Sequence, residues 1–558
     1  MKKFIKNNWL ILLILVVAFI LRLWALNYGL PNFFIGDEQS IAYGAYKMIE
    51  LKTLIPALNP SAFRPMYYPP LLSYIYLIFL APVLGLKYLV GGFVGMADFK
   101  NYLILNPTIT WLTIRLISVL FGAATIFITY LAGKKLFGKI AGLYAAAFLA
   151  LSLLHLQLSH FARHWVPATF FVALIIYLSI CIFFEPKKIY YVLVGIIAGL
   201  GFGVSYITCV TLVVFGLAHL LAAGNFWPPK NLLKKIADKN FWLTILIFLA
   251  LAIIFILLHP QEFTRILFGE DSGAGAGKSI GGLFAEFWYH FKNLINFEPL
   301  LLAAAIFGSF ILFLKSKKKL LLLLSLPITY IIALYLFFHS EVRYIILVLP
   351  ALVLPSGFAA AYLQSRLKFK FAPLLIILFF FSYPFALAGR YDYLLSKKDN
   401  RILAPAWIAN NIEPSVRIAT KFEDIQLTPT KQAILDQRAY DHQSLRQKDY
   451  ALLKITEDSY PAPAYKVLPL YFIEEKVPPI ILDNLYRYNY KYYAVEFWSP
   501  AQLSDIDKKI INSGTLIKEF SNQINGQYIL DINGNYYQPV FWLFKIKQLG
   551  PSIQIYQL

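Results

Sequence analysis

Gly36-Asp37-Glu38-Gln39 follows directly on the first long apolar run of the chain. Lys2, Lys3 and Lys6 precede that run and two carboxylates follow it. Basic residues stay on the cytoplasmic side of a span, so this order predicts that Asp37 and Glu38 face the outer side of a membrane. A carboxylate fixed at that boundary is suited to take the proton of a hydroxyl beside a lipid-borne substrate. Cations recur at the ends of other apolar runs. They are Arg64 in Phe63-Arg64-Pro65-Met66-Tyr67-Tyr68-Pro69-Pro70, His160, Arg163 and His164 in Ser159–Trp165, and Arg343 beside Tyr344. Arginines at span ends ordinarily snorkel to the interface. A guanidinium fork there also matches a phosphate, which makes His160, Arg163, His164, Arg343 and Tyr344 candidate substrate contacts.

Ser272-Gly273-Ala274-Gly275-Ala276-Gly277-Lys278-Ser279 imitates a nucleotide-binding loop. Ser272 stands where the first glycine is required and no strand precedes it, so an NTPase is excluded. A plain loop is the default reading. A Gly-rich cover over a binding cavity, with Lys278 as a phosphate contact, is the functional one.

These residues need a membrane scaffold, and the composition supplies one. Of the 558 residues, 59% are hydrophobic and 15% charged, and the mean hydropathy is +0.61. That is the balance of a polytopic membrane protein. The net charge of +21 resides in lysines between apolar runs, so topology and anionic headgroups explain it and nucleic acid is not implied. Cys181 and Cys209 lie in apolar runs and form neither a metal-ligand spacing nor a disulfide framework.

Apolar stretches predict eleven spans, near 8–27, 110–132, 138–156, 166–184, 189–207, 209–223, 241–259, 300–314, 320–338, 343–362 and 371–389. Clusters at Lys134/Lys135/Lys139, Lys187/Lys188, Lys230/Lys234/Lys235/Lys239, Lys315–Lys319 and Arg366/Lys368/Lys370 fall in every second loop. The first run reads as an uncleaved anchor with a cytoplasmic N-terminus. Leu71–Val90 is apolar enough to cross, but a crossing would put those clusters outside. It is therefore expected to be a re-entrant or interfacial hairpin broken at Pro82. Ile41, Ala45, Met48 and Ile49 predict an amphipathic helix after the acidic pair, with Asp37 as a candidate N-cap. The expected organisation is a membrane domain over 1–390, with outer loops 28–109 and 260–299. A small extracytoplasmic α/β domain would follow over 391–558, where charges return and Lys491–Phe497 reads as a strand.

Together these segments resemble the GT-C polyprenyl-phosphate-dependent glycosyltransferases, nearest the protein O-mannosyltransferase and lipid A aminoarabinose transferase branch. The resemblance covers roughly residues 1–390. It rests on Gly36-Asp37-Glu38, Tyr68-Pro69-Pro70-Leu71, Arg115, Ala162-Arg163-His164 and Arg343-Tyr344 with Pro350. Asp399-Asn400-Arg401 followed by Ala406-Trp407-Ile408 also fits. It implies a GT-C fold of about eleven transmembrane helices in the cell membrane. It further implies a sugar donor on a polyprenyl phosphate, a hydroxyl acceptor on protein, glycan or lipid, and Asp37 as general base with Glu38 beside it. The chain departs from the pattern at Tyr68, where many members carry His or Lys, and at Trp165, where many carry an acid. It also has Ser40 near the place of an arginine in aminoarabinose transferases. Without the second acid, a two-carboxylate metal site is not supported and no cofactor is assigned. The resemblance then implies that phosphate binding falls to cations such as Arg64, Arg163 or Arg343, with Tyr67 and Tyr68 as further substrate contacts.

Two other classes compete. A transporter or flippase for a lipid-linked or small anionic solute predicts ionisable groups at mid-membrane and related halves; the sequence shows charges at span ends and no internal repeat. A glycan ligase with a diphosphate-linked donor is a nearer alternative.

Overall fold

The computed structural model describes residues 2–558 except 33, 35, 223–228, 269–278, 338–340, 422–424, 441–445, 471–484, 486, 525–527 and 532–537, and only the backbone at 2–7, 36–37, 229–231, 266–268 and 440. Among the described residues, seven helices are long and apolar enough to cross a membrane. They are Leu71–Val90, Thr108–Phe137, Trp165–Phe184, Lys239–Leu258, Lys317–Phe337, Val342–Arg366 and Ala372–Asn411. Two bent pairs, Lys139–Leu151 with Leu153–Ser159 (59°) and Ile280–Phe297 with Pro299–Lys315 (119°), raise the number to nine. Three shorter apolar helices, Asn8–Leu23, Lys188–Val204 and Tyr206–Leu221, complete the set. Over their described residues the eleven apolar runs are thus mainly helical, as segments in hydrocarbon must be to satisfy their own backbone.

Leu71–Val90 corrects the sequence reading. It is one continuous helix with Pro82 inside it, not a hairpin. Proline deletes one intrahelical bond, a loss that an apolar helix tolerates when its neighbours hold it in place. Leu72, Tyr76, Leu80 and Leu84, spaced by four, form its buried face, and Ser73 Oγ donates to the Ile41 carbonyl at 2.9 Å. Ile78, Phe79, Leu86, Leu89 and Val90 face outward. The chain turns only after the helix, at Gly91 and Gly92, where φ of +66° favours glycine.

The amphipathic helix is present as Gly36–Leu51. Ile41, Ala45 and Met48 are buried while Ile49 is 41% exposed. Because this helix begins at Gly36, Asp37 lies in its first turn rather than capping it. The expected loop 260–299 contains the helices Pro260–Phe268 and Ile280–Phe297. Hydrogen bonds from Ser279 N to Tyr335 Oη (2.7 Å) and from Tyr335 Oη to Ser279 O (2.8 Å) fix the start of the second.

The C-terminal part folds on a six-stranded sheet of β1 (Arg417–Thr420), β2 (Thr428–Pro429), β3 (Ala464–Pro469), β4 (Tyr490–Phe497), β5 (Thr515–Phe520) and β6 (Ser552–Gln557). The strand order is β2-β3-β1-β4-β6-β5. The first four strands are parallel, with Ile418 opposite Val467, and β6 runs antiparallel to β4 with Ala494 opposite Ile555. This part is rooted in the bundle. Ile529, Leu530, Val540, Leu543, Ile546 and Leu549 share its main apolar core, and Gln157 Nε2 donates to the Asp531 carbonyl at 2.8 Å.

Candidate active site

Glu38 anchors the site. Its carboxylate is 3% exposed and takes both arms of Arg115, Nε at 2.9 Å and Nη2 at 2.8 Å. The Ala162 amide adds a third bond at 2.7 Å. Arg115 Nη1 in turn donates to the carbonyls of Leu26 (2.9 Å) and Tyr28 (2.8 Å), and its guanidinium stands 5.5 Å from the Phe161 ring centre. Two planar forks facing each other make the strongest ordinary ion pair, and here every arm is used. Glu38 therefore ties three places together: the start of the Gly36–Leu51 helix, the Thr108–Phe137 helix and the 160–164 turn. Asp37 is one residue away on the same helical turn; its side chain lies outside the described residues. An arginine within the otherwise apolar 110–132 run signalled a buried partner, but the sequence did not show that the partner is Glu38.

The clamp sets the acidic turn beside Ala162, and the next residues are Arg163 and His164. From there a row of rings runs through the site. Tyr68 lies 4.2 Å from His164 between ring centres, His164 4.2 Å from Trp165, and Trp165 4.6 Å from Tyr344. Arg343 pairs with Glu341 and holds its guanidinium 5.6 Å from the Tyr344 ring. Trp165, which departs from the resemblance, completes this row with an indole where an acid was expected. Arg163 is 1% exposed. Burial first, and then Arg163 and Arg343, hold the His164 imidazole well below its usual pKa. Tyr68, Arg163, His164, Arg343 and Tyr344, drawn from three distant segments, are thus brought to one place.

A neutral, buried His164 has a consequence for stability. The unfolded chain binds its proton near pH 6.5 and the folded chain does not, so stability is full above that value and is lost as pH falls below it. The expected result is a thermal midpoint in detergent that declines below about pH 6.5, with a shallower decline in His164→Asn. An identical pH profile for the variant would remove His164 as the source.

The other candidates lie apart from the row. His160 is fully buried, its ring nitrogens 2.9 Å from the Leu156 carbonyl and 3.0 Å from the Trp24 carbonyl, with Asp392 at 3.4 Å. Those contacts make it a tie between helix ends. Arg64 is exposed at the end of the Pro60–Phe63 helix. Tyr67 is 46% exposed and lies under Arg265, 5.1 Å from its ring centre. Arg265 in turn holds Glu262 through two bonds of 2.9 Å. His259 Nε2 meets the Met66 carbonyl at 2.8 Å. Sequence reasoning overlooked His259 and Arg265, which sit where the 260–299 stretch meets the Arg64–Tyr68 segment. Lys278 and most of its Gly-rich stretch lie outside the described residues.

Residues 102–259 match the family model described as dolichyl-phosphate-mannose-protein mannosyltransferase. Over that segment the chain is similar to this mannosyltransferase family. The matched segment contains Arg115, Arg163, His164 and Trp165, hence the helix side of the clamp and half of the ring row. Among solved structures, the chain is similar to ArnT from Cupriavidus metallidurans bound to undecaprenyl phosphate, at 11% identity and a TM-score of 0.44, over 99% of this chain and 98% of that one. It is also similar to the Archaeoglobus fulgidus oligosaccharyltransferase tethered to an acceptor peptide with the NVT sequon, at 13% identity and a TM-score of 0.46, over 88% and 70%. No curated protein sequence matches the chain.

Proposed function

We propose that this chain is a GT-C glycosyltransferase that moves a sugar from a polyprenyl phosphate to an acceptor hydroxyl at the outer membrane face, with Asp37 as the general base. The observation that carries this reading is the bond from Ala162 N to Glu38. It puts the first turn of the Asp37 helix against the turn that supplies Arg163 and His164. The helical turn that carries Asp37 then lies beside the arginine Arg163, and transfer from a phosphate ester requires such a base and cation together.

The acceptor oxygen attacks the anomeric carbon as Asp37 takes its proton, and the bond from that carbon to the phosphate oxygen breaks. The carrier phosphate leaves with the bonding pair. Arg163 and Arg343 stabilise its growing charge, an electrostatic contribution that commonly exceeds that of the base. Attack from the face opposite the leaving group inverts the anomeric centre in a single displacement. Glu38, held by Arg115, orients the turn and keeps Asp37 in place. The ring row Tyr68–His164–Trp165–Tyr344 offers flat apolar faces to the sugar or the first isoprene units. The orientation follows from the lysine clusters, with the N-terminus in the cytoplasm. It requires that Leu71–Val90 lie along the interface, its outward apolar face against lipid.

Arg343→Ala tests the phosphate contacts. The expected outcome is a donor KM raised roughly tenfold, the loss of about one charge-assisted bond, with the thermal midpoint nearly unchanged. Titrating polyprenyl-phosphate sugars against membranes containing the variant measures it. An unaltered donor KM removes Arg343 from the phosphate site. Product of the same anomeric configuration as the donor would overturn the single-displacement mechanism.

A further inference from the structure

The loop that leads from the first span to Asp37 is held from a second direction, by residues at the junction of the Ala372–Leu395 and Asn400–Asn411 helices. Tyr28 Oη donates to Asp399 Oδ2. Arg401 grips the same carboxylate, Nε to Oδ1 at 2.9 Å and Nη2 to Oδ2 at 3.1 Å, and its backbone amide caps Oδ1 at 2.8 Å. The Arg401 guanidinium lies 4.0 Å from the centre of the Phe34 ring and 5.8 Å from that of Trp498. Asp399 and Arg401 are 0% and 2% exposed, so this is a dry lock. Arg401 is among the largest fully buried side chains in the protein.

The lock is built into the sheet. Asn400 donates from its backbone to the Leu549 carbonyl (3.3 Å) and from Nδ2 to the Pro551 carbonyl (2.7 Å), immediately before β6. At Gly550, with φ of +111°, a Cβ would stand 2.6 Å from Asp399 Oδ1, so only glycine lets the chain pass. Trp498 follows β4 directly. The sheet therefore reaches the loop through Asp399 and Arg401. Tyr28 is held at both ends, its carbonyl by Arg115 and its hydroxyl by Asp399. Phe34, two residues before Gly36, is pinned by Arg401.

We propose that Asp399 and Arg401 are positioning residues for transfer, coupling the C-terminal sheet to the placement of Asp37. The inference rests on the reading of Asp37 as the base. A base must sit within hydrogen-bond reach of the acceptor proton, and displacement by about 1 Å can cost about 10²-fold in rate. Glu38 fixes the helix side of Asp37, and the Asp399–Arg401 lock fixes the loop side.

The test uses the full chain in detergent or nanodiscs, with Arg401→Lys, which keeps the charge but loses the fork, and Tyr28→Phe, which deletes one hydroxyl and keeps the packing. Amide exchange over residues 24–36 is expected to rise about tenfold or more in Arg401→Lys while residues 110–125 stay protected. Turnover should fall about 10- to 100-fold and the donor KM move less than about twofold. Tyr28→Phe should shift both readouts the same way by a smaller factor. Binding of polyprenyl phosphate alone should be unchanged in both variants. Unaltered exchange at 24–36 in both variants, or wild-type turnover, overturns the proposal. So does a parallel loss of turnover, carrier binding and thermal midpoint, because that marks a merely structural role. Wild-type transfer by Asp37→Asn would refute the base instead, and the exchange result would still judge the lock.

Discussion

Asp37→Asn is expected to lower the turnover of sugar transfer by about 10²–10⁴-fold, the usual contribution of a positioned base, with donor affinity and folding unchanged. The amide is isosteric with the carboxylate and can still accept a hydrogen bond, but it cannot take a proton at neutral pH. Glu38 cannot stand in for it, because both its oxygens are engaged by Arg115 and the Ala162 amide. Initial rates with a panel of polyprenyl-phosphate sugars, alongside binding of polyprenyl phosphate by the same preparation, separate chemistry from recognition. A variant that transfers at the wild-type rate would end the assignment of Asp37.

Arg115→Met should have the largest effect on stability. It leaves the Glu38 carboxylate buried at 3% exposure without its counter-ion, and it strips the donor from the Leu26 and Tyr28 carbonyls. Breaking a buried pair by removing one partner costs about 3–5 kcal/mol, mostly the burden of the orphaned charge. The double variant Arg115→Met, Glu38→Gln should lose less than the sum of the single losses, since no unpaired ion remains. Unfolding of the purified protein in detergent measures both. Strict additivity would mean that the two residues do not act as a pair. Glu38→Gln alone should also slow transfer, because the acidic turn loses the bonds that hold it against the 160–164 turn.

Much of the architecture was legible because hydrocarbon enforces it. Over their described residues the eleven apolar runs are mainly helical, the 138–156 run as two helices bent by 59°, and β4 spans Tyr490–Phe497 where Lys491–Phe497 reads as a strand. The amphipathic spacing of Ile41, Ala45 and Met48 found its buried face for the same reason. The hairpin expected for Leu71–Val90 rested on the side assigned to the lysine clusters, which says nothing about whether the segment itself bends, and Pro82 sits inside a continuous helix. In an apolar helix held by neighbours, one missing hydrogen bond is a smaller matter than exposing a whole turn of backbone to lipid. His160 was grouped with Arg163 and His164 by proximity in sequence. The turn sends their side chains different ways, His160 to backbone carbonyls and Asp392, His164 into the ring row.

The sequence alone determined which segments enter the membrane and which residue types wait at its edge, because periodicity and charge placement are properties of the chain itself. It determined that a carboxylate turn, an aromatic–proline segment and two arginine motifs exist. Only the tertiary structure decided that Glu38 is spent on Arg115, that Tyr68, His164, Trp165 and Tyr344 form one row of tilted rings, and that Asp399 and Arg401 reach back to Tyr28 and Phe34. Apart from the neighbours His164 and Trp165, those partners lie 77 to 373 positions apart. No local pattern encodes such pairings; they follow from how the helices pack and from the need of each buried charge to find its counterpart there.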